Sequence, residues 1–139
     1  QTRPAPLPLG IYPSRGASWV GDSEEALKAK GRDYVVGRAS LVENARANLV
    51  GEAVGFLKLL ADPATGAILG VHCIGPHASD TVHLGQAVMA LGGDLRFFAE
   101  SVFNYPTLQE AYKYAAFDAL DRIRDRGGNV TPIDRAAAK

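Results

Sequence analysis

The stretch GFLKLLADPATGAILGVHCIG, residues 55–75, carries two apolar segments, 55–61 and 67–74, joined by Asp62-Pro63-Ala64-Thr65-Gly66. Two apolar runs of strand length separated by turn-forming residues specify a β-hairpin. Working backwards, Tyr34-Val35-Val36 with Gly37 to Leu41 reads as a preceding strand, and Ala17 to Val20 as a shorter one. Asp22 and Glu25 are spaced to open a short helix that Gly31 closes, while the polar stretch Glu43 to Asn48 interrupts the strands.

Beyond the hairpin the apolar period lengthens. Val82, Gln86, Val88, Met89 and Leu91 fit a helix from Asp80 that Gly92-Gly93 ends, and Asp94 can cap a second. After Pro106, Leu108, Ala111, Tyr112, Ala115, Ala119, Leu120 and Ile123 fall on one helical stripe. Strands first and helices after predict an α+β fold, an antiparallel sheet with helices packed on one face. Residues 1–15, with four prolines, read as a linker or entry segment, 16–124 as the folded domain, and 125–139 as a tail.

Composition narrows the function. The 139 residues are 47% hydrophobic and 22% charged, with 15 basic residues balancing 15 acidic ones. That balance offers no electrostatic footprint for nucleic acid or anionic lipid. No apolar run approaches the ~20 residues of a membrane span. One cysteine, Cys73, cannot close an internal disulfide and sits between apolar neighbours, which points to a buried thiol in a reducing compartment, the cytoplasm.

Cys73, His77, Asp80 and His83 are metal-ligating types, but they lack the paired spacing of a structural zinc site. The reading is no metal: Cys73 in the core, Asp80 as a cap, the histidines polar surface or satisfied interior groups. No G-x-G-x-x-G, no phosphate-binding P-loop, no cysteine pair and no G-x-S-x-G elbow occurs. In FNYPTLQEAYKY, residues 103–114, Thr107-x-x-Glu110 has the form of a capping box, and Pro106 drives Tyr105 out of the helical region.

Together GASWVG, YVVGRASL, ARANLVGEAVGFLKLLADPATGAILGVHCIG, ASDTVHLGQAVMAL and FNYPTLQEAYKYAAFDALDRI resemble the C-terminal dimerisation domain of the flavin-dependent pyridine nucleotide-disulfide oxidoreductases. The likeness covers about Ile11 to Ile123 and is greatest to the soluble transhydrogenase branch. It implies a homodimer, upstream FAD and NAD(P) domains on the same polypeptide, and no cofactor or activity on this chain alone. It also implies that Asn104, Tyr105 and Pro106 reach toward the partner subunit's FAD.

In disulfide-reducing members the residue before this proline is a histidine, paired with the glutamate that Glu110 matches. Tyr105 stands there in this sequence. A phenol with pKa near 10 is a poor base at neutral pH, whereas passing hydride from NADPH through FAD to NAD⁺ needs no thiol deprotonated. The resemblance thus implies an NAD(P)⁺ transhydrogenase, with Glu110 a helix cap. Alternatives are a disulfide reductase such as dihydrolipoamide dehydrogenase, or a free-standing interaction module. The helix bearing Tyr112, Tyr114 and Phe117 is expected to supply much of the dimer interface, because its aromatic residues exceed what one side of a small core needs. Where the family carries Tyr-Thr-x-Pro-Glu, this chain has Tyr12-Pro13-Ser14-Arg15-Gly16.

Overall fold

The computed structural model describes residues 6–11 and 16–130. Five strands, β1 (Leu9–Ile11), β2 (Ala17–Gly21), β3 (Val35–Ser40), β4 (Phe56–Ala61) and β5 (Ile68–Ile74), form one sheet in the order β1-β2-β5-β4-β3. Every neighbouring pair is antiparallel. The predicted hairpin is β4–β5: Leu57 opposes Cys73 and Leu59 opposes Val71. Its turn is held by the Asp62 carboxylate, which accepts from the amides of Ala64 (2.9 Å) and Thr65 (3.0 Å). β1 lies inside the stretch read as an entry linker, and Ser18 Oγ donates to Leu9 O at 2.8 Å to fasten this edge strand.

Among the described residues five helices accompany the sheet: α1 (Glu24–Ala29), α2 (Ala45–Leu49), α3 (Ala78–Ala90), α4 (Leu95–Glu100) and α5 (Glu110–Asp125). A 3₁₀ turn, Leu41–Glu43, precedes α2, so the stretch that reads as a polar interruption is two short helical pieces. Ser23, rather than Asp22, caps α1: its hydroxyl accepts from the Ala26 amide, and Asp22 pairs with Lys30 at 2.6 Å. Serine wins because its short side chain reaches the orphan amide from the position directly before the helix. Asp94 caps α4 as its sequence position predicts.

Strand alternation sorts the side chains. Val35, Ala39, Leu57, Leu59, Val71 and Cys73 point to one face and join Val82, Phe98, Tyr112, Ala115 and Ala119 in the main core. The three later helices cover this face, as predicted. The short α1 covers part of the other, where Leu27 packs with Leu60, Leu69 and Val36. Beside it Lys58 reaches Glu24 at 2.8 Å. On the same row His72 stays neutral well below its ordinary range, at about 4, because it is buried and faces the Lys58 ammonium.

α5 lies close against β3. A Cβ at Gly37 would stand 2.0 Å from the Ala115 carbonyl oxygen and 2.7 Å from the Ala119 methyl. The small stripe Ala111, Ala115 and Ala119 lets the helix backbone lie directly on the sheet. The obstacle at Gly37 is backbone, so no rotamer change relieves it. Gly37→Ala is expected to destabilise by about 1–3 kcal/mol or more through overpacking, read as a lower denaturation midpoint.

Candidate functional site

The residues that the sequence singles out lie in the connection between α4 and α5. Ser101 ends α4 in an extended conformation, and Pro106 forbids helical backbone at Tyr105, so the chain turns rather than continuing. The Tyr105-Pro106 peptide bond is cis. Asn104 is exposed and Tyr105 is 75% exposed, so the two residues preceding the proline project outward.

The backbone around them is held from several sides. Lys113 Nζ donates to Ser101 O at 2.9 Å, and Thr107 Oγ1 donates to Asn104 O at 2.8 Å. Glu110 Oε2 accepts from the Thr107 amide at 3.1 Å. The capping box is therefore half formed. The Glu arm is in place, but the Thr hydroxyl turns back to Asn104 and α5 opens at Glu110, behind Gln109, with no side-chain cap. The Glu110 carboxylate serves the turn's backbone, not the ring of Tyr105.

Pro106 and Gln109 form one wall of an open cleft of about 650 Å³ whose other walls include Arg46, Glu52, His77 and Asp80. His77, in left-handed conformation (φ 58°) ahead of α3, stands 3.5 Å from Asp80 and 3.9 Å from Glu52. Asp80 lies in the first turn of α3, where its charge suits the helix dipole, and does not cap the helix as expected.

The remaining candidates are elsewhere. His83 meets Gln86 at 2.9 Å on α3. Cys73 is buried on β5 and its thiol is pushed up to about 12, chiefly by burial, with its contact to Tyr112 opposing. It is no nucleophile at neutral pH. Among the described residues no group of three or more His, Cys, Asp or Glu is placed to hold a metal ion.

Tyr112, on the predicted apolar stripe, is fully buried, stacked on Phe98 at 4.6 Å between ring centres. Its hydroxyl donates to Thr81 O (2.8 Å) and accepts from Gly85 N (3.0 Å). Those two groups are an i−4, i pair of α3, so the phenol inserts a side chain into the helix ladder. A Cβ on Gly85 would stand 2.8 Å from that oxygen, which explains glycine there. Burial drives the phenol's pKa well above its ordinary value, keeping it a donor. Tyr114 and Phe117 of α5, by contrast, are exposed at 56% and 43%.

Sequence reasoning missed Asn44, which is 4% exposed and donates through Nδ2 to Thr107 O at 3.0 Å across 63 positions. Read locally, Asn44 falls in a polar interruption between strands, and a bond made 63 positions away has no local signature.

Comparison with known proteins fixes the family. Residues 7–116 match the family described as pyridine nucleotide-disulphide oxidoreductase, dimerisation domain. The chain belongs to this family. The dimerisation domain is 46% identical over 120 residues to the soluble pyridine nucleotide transhydrogenase of Pseudomonas paraeruginosa, covering 84% of this chain and 26% of that protein. It is 44% identical over 117 residues to the protein of the same name from Mycobacterium bovis, with coverage of 84% and 25%. The chain thus spans about a quarter of the length of these relatives.

Among solved structures, LpdA of Mycobacterium tuberculosis superposes with TM-score 0.74 at 21% identity, over 80% of this chain and 24% of that one. The HOCl-induced flavoprotein disulfide reductase RclA of Escherichia coli gives 0.72 at 22%, over 77% and 25%. At these identities the superpositions establish the fold. Of the departing entry motif, Tyr12 to Arg15 lie outside the described residues.

Removing the Tyr112 hydroxyl should cost little for so buried a group, because Gly85 N–H and Thr81 C=O can close on one another. Tyr112→Phe is expected to lose about 1 kcal/mol of stability. Tyr112→Ala, which also empties the ring's place against Phe98, should lose about 3–5 kcal/mol, both measured by urea unfolding.

Proposed function

We propose that this dimerisation domain belongs to an FAD-dependent NAD(P)⁺ transhydrogenase that passes hydride between NADPH and NAD⁺. Two copies pair as a homodimer, and the Asn104-Tyr105-Pro106 turn of each forms part of the partner subunit's flavin site. FAD and NAD(P) are gripped by further domains of the same polypeptide. The isolated 139 residues are inactive, and the protein works in the cytoplasm, with no nucleic-acid or membrane partner.

One observation carries the choice of chemistry. Glu110 spends its carboxylate on the Thr107 amide, and Tyr105 presents an exposed phenol where a disulfide-reducing relative needs a base. A phenol and a carboxylate committed to backbone cannot deprotonate a dithiol at neutral pH. The names of the relatives at 46% and 44% identity support the same reading. A disulfide reductase with this turn would need its proton acceptor from elsewhere.

The residues present fit FAD in a limited way. No glycine-rich phosphate loop occurs in the sequence, so this chain contributes no cradle for a pyrophosphate. What it can offer is a wall: the open face of Tyr105, the Asn104 side chain and the edge of Pro106, on a backbone fastened from behind. Bound FAD supplies the hydride relay. The role of this chain is to close one side of the ring's pocket, exclude water and leave no competing base beside it.

Dimerisation would draw on α5, whose Tyr114 and Phe117 occupy one exposed face, and on Val102, 95% exposed before the turn. A family-like assembly would bury more than about 2,000 Å².

The test is the complete polypeptide, assayed for hydride transfer from NADPH to an NAD⁺ analogue and for NAD(P)H-dependent disulfide reduction. The first activity is expected and the second absent, and Tyr105→Phe should keep the transfer rate within about tenfold, a barrier change below ~1.4 kcal/mol. A polypeptide that reduces disulfides and fails to pass hydride between nucleotides would refute the proposal.

A further inference from the structure

We infer that Asn44 is a positioning residue for the Tyr105-Pro106 turn, fixing through its side-chain amide where that turn stands against the flavin; this rests on the reading above that the turn faces the partner's FAD. Among the described residues Asn44 is one of the few buried polar side chains, at 4% exposure. Its carboxamide is divided between two tasks. Oδ1 accepts from Ala47 N at 3.0 Å and caps α2, while Nδ2 donates to Thr107 O at 3.0 Å.

Thr107 directly follows Pro106, and both of its backbone polar groups are taken by side chains from separate elements. Asn44 holds the carbonyl from the start of α2, and Glu110 holds the amide from the first turn of α5. On the other flank, the Thr107 hydroxyl holds the carbonyl of Asn104. The exposed Tyr105 and the half-buried Pro106 are thus spanned by fastened backbone.

Asn44 is itself immobilised. Its amide donates to Leu41 O at 3.1 Å, and its carbonyl accepts from Asn48 Nδ2 at 2.9 Å, while that same nitrogen also donates to Val42 O at 2.7 Å. The rigid 3₁₀–α2 connection therefore acts as an abutment for a turn 63 residues away.

Capping α2 needs only an acceptor, which Asp or Ser supplies as well as Asn. Holding the Thr107 carbonyl needs a donor, and that requirement selects the amide. Asn44→Asp separates the two roles, keeping the cap and setting a carboxylate against the carbonyl.

The experiment uses the complete FAD-loaded dimer, wild type and with Asn44→Asp or Asn44→Ala, reading hydrogen exchange of peptides covering 101–109, the visible spectrum of the bound flavin, and kcat against KM. Both variants are expected to speed exchange across 101–109 by about tenfold, the loss of one buried hydrogen bond. Both should also shift the flavin band and lower kcat while the nucleotide KM holds. Thermal stability should fall for Asn44→Ala and less for Asn44→Asp. If Asn44→Ala does not fold, Asn44→Asp alone carries the test. Unchanged exchange over 101–109 in Asn44→Asp overturns the anchoring itself. Faster exchange with an unaltered flavin spectrum and kcat keeps the anchor but overturns its role in positioning at the flavin, while the flavin-facing reading itself stands or falls separately, on whether a photo-cross-linker at position 105 attaches to the partner or its flavin.

Discussion

The structure depends on how closely α5 lies against the sheet. Gly37 gives up its side chain on β3 and Ala115 and Ala119 give up bulk on α5, so that helix backbone and strand backbone meet with a methyl group's width removed. From the same helix, Tyr112 reaches across to α3 and bonds Thr81 and Gly85. One helix is thereby tied to the sheet by close approach and to its neighbouring helix by a buried phenol. Packing of this kind is intolerant of added volume, which makes the position of α5 sharply defined.

That definition reaches the turn ahead of α5. Glu110 opens the helix and holds Thr107, Lys113 one turn later holds Ser101, and Asn44 closes the arrangement from the opposite element. The exposed Tyr105 ring is carried on a turn whose flanking backbone groups, Asn104 O, Thr107 N and Thr107 O, are held by side chains. A surface residue so supported is suited to presenting a fixed shape to another molecule. The family's role in pairing two subunits supplies such a molecule, and the proposed flavin wall lies on the same exposed segment.

Much of the architecture was legible in the residues. The β4–β5 hairpin announced itself through Asp62-Pro63 and Gly66 between two apolar runs, and α5 through its stripe of small and apolar positions. Local chemistry was less reliable where two residues competed for one task, as with Ser23 displacing Asp22 as a cap, or where a hydroxyl had an alternative partner, as with Thr107 bonding Asn104. β1 hid in a proline-rich stretch because a three-residue edge strand has too few positions to show alternation. The stripe carried Tyr112 into the core, but its partner groups, the backbone of Thr81 and Gly85, have no signature in sequence. Asn44 went unnoticed as part of the site for the same reason: its donor half acts on a carbonyl far along the chain.

Whether Tyr105 truly faces the partner decides the account. The direct measurement is photo-cross-linking in the complete FAD-bound dimer with benzoylphenylalanine in place of Tyr105, followed by mass mapping of the adducts. The account predicts attachment to the partner polypeptide or to its flavin. Adducts confined to the same subunit, in a dimer that sedimentation shows to be intact, would contradict it.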